Sequence, residues 1–204
     1  MCVGRVCRLL IPFSTTQAHA SVSGAQKVKY TPDQEWDYVL ENPYDPIDVS
    51  LSLPHYRAHN QPTAYRMGML VAAHSKPVKA KVCRQPSQRS HFYLHVQAHS
   101  SDVTVWLPSD FNGRVSCTTR PAFSAGFVNR VMQNTRLCLG IPTDESSMNE
   151  DELVVCTGGK ITLRMWDVGK GAVEREGKEM VRRMFGCGMR APETTIDWDC
   201  LLDD

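Results

Sequence analysis

This chain of 204 residues lacks a long apolar run, a block of charge of one sign, and cysteines at metal-site spacing. No stretch approaches the roughly eighteen apolar residues that span a bilayer, and Leu9, Leu10 and Ile11 fall short of a signal-peptide core. Net charge is +1, with no run of Lys and Arg to track a phosphate backbone, so nucleic acid is not an expected partner. The eight cysteines form no Cys-x-x-Cys and no zinc-type histidine spacing, so neither a metal nor another cofactor is expected. No Asn-x-Ser/Thr sequon supports secretion, and the thiols read as reduced, which points to the cytoplasm. Secretion and mitochondrial import are the alternatives, because residues 1–32 carry Arg5, Arg8, Lys27 and Lys29 and no acid.

Catalytic signatures are missing as well. There is no Gly-x-Ser-x-Gly elbow, and Ser109-Asp110 follows a proline in what reads as a hairpin corner. Gly158-Gly159-Lys160 joins two β segments instead of opening a helix, so no phosphate loop is expected there. The chain reads as non-enzymatic, a hydrolase with an unrecognised site being the distant alternative.

What is present is a two-residue rhythm. Ile47, Val49, Leu51 and Leu53 alternate with Asp48, Ser50 and Ser52 up to Pro54, which has no amide hydrogen for a ladder. The same alternation runs through Val78–Cys83, Phe92–Ala98 and Val103–Leu107, resumes at Val115 and Cys117, and returns in 153–156 and 160–166. DVTVWLP at 102–108 repeats DVSLSLP at 48–54, and RLCLGIP at 136–142 reads as a looser third copy with Leu137, Leu139 and Ile141 inward. These units suit antiparallel pairing. The pattern predicts an all-β body, either a stacked-strand β-sandwich or an irregular β-solenoid.

Outside that body, 1–32 reads as a disordered tail, and Thr31-Pro32-Asp33 opens a short helix and linker over 33–45. The β-rich domain covers 46–168. Residues 171–186 show helical spacing and predict one C-terminal amphipathic helix, on which Met184, Phe185 and Cys187 suggest a weaker membrane-apposition role. Residues 187–204 form an acidic tail containing Trp198.

His91, His95 and His99 resemble a ligand row, but on a strand their ends lie about 26 Å apart in total and cannot share a metal. A solvated face is the expectation, as it is for His55 and His59. Trp106 and Trp166 are out of phase with the inward aliphatics of their strands, beside Thr104, Thr162 and Arg164. They either fill a second layer under a covering segment or form a platform, and Trp106, Trp166 and Arg164 are the candidate binding residues.

VTVWLPSDFNG at 103–113, with PIDVSLSLP upstream and the ending Glu193–Asp199, resembles a family of uncharacterised basidiomycete fungal proteins with a VWLPxxFxG core. That resemblance implies an adhesin-like β fold and brings no catalytic residue. The expected function is a protein-interaction or scaffold domain with an unknown protein partner. A carbohydrate-binding module using the two tryptophans, with a glycan as partner, is the alternative.

Overall fold

The computed structural model describes residues 23–86, 90–140 and 148–174. In chain order the strands are Ser23–Lys27 (β1), Tyr38–Asn42 (β2), Ile47–Ser52 (β3), Arg66–Ala73 (β4), Val78–Cys83 (β5), His91–Ala98 (β6) and Val103–Pro108 (β7). Gly113–Cys117 (β8) and Ala122–Phe123 (β9) lead into the helix Ala125–Arg130 (α1), followed by Thr135–Leu139 (β10), Asp151–Cys156 (β11), Ile161–Asp167 (β12) and Ala172–Val173 (β13). No described helix is long and apolar enough to cross a membrane.

From β1 to β10 successive strands alternate between two sheets, after which β11 stays in the second sheet and β12 and β13 both join the first. The first sheet runs β1-β3-β5-β7-β12, with β9 and β13 beyond β12, and the second runs β10-β8-β11-β6-β4-β2. Among the described residues every pairing is parallel except β12 with β13. The chain therefore winds in stacked turns, and of the two expected all-β architectures the solenoid is the one formed. The antiparallel expectation fails because alternation records only which face is buried, while from β1 to β8 neighbours within a sheet are linked through a strand of the opposite sheet. Inward residues such as Val49, Met69, Val82, Leu94, Val105 and Leu163 make one core between the sheets, all essentially inaccessible to water.

One set of corners has constant length. Residues 43–46, 74–77, 99–102, 118–121 and 157–160 each carry the chain from the second sheet to the first in four residues. This aligns Ile47, Val78, Val103 and Ile161, the first residues of their strands. The register consequently relates Val49 to Val105 through Ala80, two residues away from the offset suggested by the DVSLSLP and DVTVWLP match. Asp102 is a corner residue whose carboxylate accepts from Lys160 N at 3.0 Å, whereas Asp48 lies within a strand. The expected third copy falls in the other sheet, as β10, and Leu139 is 40% exposed instead of inward.

The order in the second sheet departs from chain order at one place. Strand β11 lies between β6 and β8, and β12 lies between β7 and β9, so the last full turn is inserted inside the stack. The link from β7 to β8 crosses the end of β12: Ser109 N donates to Trp166 O at 2.7 Å, and Val168 N donates to Ser109 Oγ at 3.1 Å. Phe111 plugs the core at this corner, fully buried.

Three boundaries need correction. The helix expected over 33–45 is replaced by β2, which pairs with Met69–Ala73. Asp37 fixes the approach: its carboxylate accepts from Thr31 N, Tyr65 Oη and Gly68 N, all at 2.8 Å, and tertiary bonding of this kind overrides local helix propensity. Burial and the bond to Asp37 push the Tyr65 hydroxyl pKa upward. The tail expected over 1–32 contributes β1 to the first sheet. Of the predicted C-terminal helix, Ala172 and Val173 form a strand, and residues 175–204, including Met184, Phe185, Cys187 and the acidic tail, lie outside the described residues.

Candidate functional site on the outer face of the first sheet

The register brings the three candidate residues together. Trp106 on β7 stands beside Arg164 on β12, and Trp166 follows two residues along the same outward face. On the other side Trp106 is level with Lys81 of β5. Lys81 Nζ lies 5.2 Å from the Trp106 ring centroid and Arg164 Cζ lies 5.7 Å from it, so the indole sits between two cations. Lys81 also pairs with Asp48 on β3. Trp106 and Trp166 are half-buried. Outward charges on these strands comprise Lys27, Lys79, Lys81 and Arg164 against Asp48.

At the ends of these strands the face deepens into a cleft of about 460 Å³. Its lining follows strand order, from Lys27 and Lys29 beyond β1, through Leu53 and Cys83, to Trp166. Burial pushes the Cys83 thiol up to about 11 although Lys81 pulls it down, so this wall is a neutral thiol at pH 7. Arg84 also touches the cleft, but its charge is answered elsewhere.

The strongest polar constellations were not legible as sites. Arg84, with a side chain 2% exposed, donates from Nε to Asp110 Oδ1 at 2.8 Å and from Nη1 to Asp151 Oδ1 at 3.1 Å, and its Nη2 lies 3.0 Å from Asp151 Oδ2. On the outer face of the second sheet Glu152 is held by Arg66 at 3.0 Å and Arg114 at 2.9 Å. Arg66 stands over Tyr93, and Trp36 stacks on the same ring at 5.4 Å. Trp36 also packs near Gly68, where a Cβ would stand at the ordinary contact distance of 3.7 Å. The available sequence signal was Asp151-Glu152 leading into the unalternating apolar run Leu153–Cys156, and in the structure the first five residues of this strand are all buried, as in a strand covered on both faces.

The histidines go to separate surroundings. His91 Nδ1 stands 3.4 Å from Asp151 Oδ1, His95 lies near Trp36 and Tyr93, and His99 stacks on His74 at 5.3 Å. His55 lies at the cleft, and His59 is exposed. Ser109 accepts from Val168 and Asp110 binds Arg84, so both hold the corner together. Gly159 lies so close to Ser101 that a Cβ would stand 2.5 Å from its carbonyl oxygen.

No curated protein and no solved structure matches the chain. A family model described as a domain of unknown function, DUF7330, matches residues 23–167, from the first described residue to the end of β12. With more than two thirds of its length under that model, the chain belongs to the DUF7330 family.

Proposed function

We propose that this domain is a non-enzymatic protein-interaction module whose outer first-sheet face binds an acidic segment of a partner. The observation that carries the reading is the row Lys81, Trp106, Arg164, in which a half-buried indole is flanked by cations. Such a row offers an acidic chain both charge and an apolar strip, and aromatic and arginine side chains dominate binding surfaces. A sugar would need an open indole face, and Lys81 and Arg164 lie beside that of Trp106, which weighs for the peptide over the glycan.

The VWLPxxFxG resemblance and its fungal, adhesin-like setting belong to the same proposal. Within it Trp106 faces outward, Phe111 fills the core, and Gly113 permits contact with Asp151. Among the described residues Cys83, Cys117 and Cys138 are free thiols, which supports a reducing, cytoplasmic setting.

Fluorescence anisotropy with a labelled Asp/Glu-rich peptide tests the reading. Binding at low salt should weaken at least tenfold in Lys81→Glu and in Arg164→Glu. Affinity untouched by either substitution, or glycan-array hits lost in Trp106→Ala, would overturn it.

A further inference from the structure

We propose that the cleft beyond the first sheet is a binding site for an elongated amphipathic anion, a long-chain carboxylate. Three observations carry this beyond the peptide face. The first is its shape. Lys27 is on β1 and Trp166 on β12, four strand steps apart, or roughly 19 Å at the usual spacing, yet both line one cleft of about 460 Å³. That volume lies within the usual range for small-molecule sites, and its length excludes a compact ligand as the best fit.

The second is its charge distribution. Lys27 and Lys29 are exposed at one end and have no ion-pair partner among the described residues. No carboxylate lines the cleft among the described residues. Arg84 is committed to Asp110 and Asp151, so the positive field belongs to the lysine end.

The third is the apolar path between the ends. Val28, Leu53 and Val168 are buried beneath it, and Cys83 contributes a neutral thiol. Trp166 lines the cleft on β12, the farthest from β1 of the strands that line it. A carboxylate at Lys27 and Lys29 would lay its chain along this floor toward the indole, removing apolar surface from water on both sides.

Isothermal titration of the full chain with palmitate, octanoate and hexadecanol below their aggregation limits tests the site. Palmitate should bind at least tenfold more tightly than octanoate, which cannot reach Trp166, and than hexadecanol, which has no charge. The double substitution Lys27→Glu, Lys29→Glu should weaken palmitate at least tenfold, and the arginine pair should restore it. Lys81→Met, which removes one cation of the acidic-segment face without adding a negative charge near Cys83, should weaken the acidic peptide and leave palmitate binding nearly unchanged, which separates the two sites. Equal affinity for palmitate and octanoate, equal affinity for hexadecanol, indifference to the lysine reversal, or no binding would each overturn the assignment.

Discussion

Gly113 opens β8 directly against Asp151, the first residue of β11, and a Cβ on Gly113 would stand 1.8 Å from the Asp151 carbonyl oxygen. Both sides of that contact are backbone, so neither can rotate away. Gly113→Ala should therefore destabilise the fold by about 3 kcal/mol or more, read from urea unfolding. Gly68→Ala is the control: its new methyl would meet Glu35 O at 3.4 Å and Trp36 at 3.7 Å, ordinary contacts, and should cost under about 1 kcal/mol.

The buried cluster at the same corner makes a second prediction. Asp151 is 1% exposed and binds Arg84 through both carboxylate oxygens. Removing one partner leaves a charge in a dry site, so Asp151→Ala should cost about 3–5 kcal/mol by chemical denaturation. Replacing Arg84 and Asp151 together with Met and Leu should cost less than Asp151→Ala alone. A double variant as unstable as the sum of the two single changes would refute this coupling.

These two contacts also show where the sequence stops being readable. Val103–Leu107 and Phe92–Ala98 alternate in the structure as their residues suggested, because each has one face on the core. Tyr38–Asn42 was hidden because its strand conformation rests on β4 and on Asp37, neither of which a local window contains. Arg84 and Asp151 are 67 residues apart, and they meet only because β11 is inserted between β6 and β8. The candidate site has the same origin. Each indole's outward direction was legible from its strand, whereas the contact of Trp106 with Arg164 depends on β12 lying next to β7.

His95 gives a pH prediction. Burial lowers its pKa from the ordinary 6.5, so the folded chain resists a proton that the unfolded chain accepts. Stability contributed by the neutral ring is complete above pH 6.5, falls as pH drops below that value, and levels off beneath the folded-state pKa. His95→Gln should flatten that part of the stability curve, measured by urea midpoints between pH 7.5 and pH 5. An unchanged slope would contradict the burial argument.

The cation row predicts salt sensitivity in binding more than in folding. Lys81 is partly exposed and its pair with Asp48 is solvent-screened, so Lys81→Met should shift stability by less than about 1 kcal/mol. Acidic-peptide affinity of the unaltered protein should fall steeply between low and physiological salt, and the Lys81→Met variant should show a shallower dependence in the same titration.

The most direct test of the interaction face is an amide chemical-shift map recorded while an Asp/Glu-rich peptide is titrated into the full chain. The account predicts shifts concentrated in Val78–Cys83, Val103–Pro108 and Ile161–Asp167, reversed by added salt. Shifts centred on β4, β6 and β11 of the second sheet, or none at saturating peptide, would contradict it.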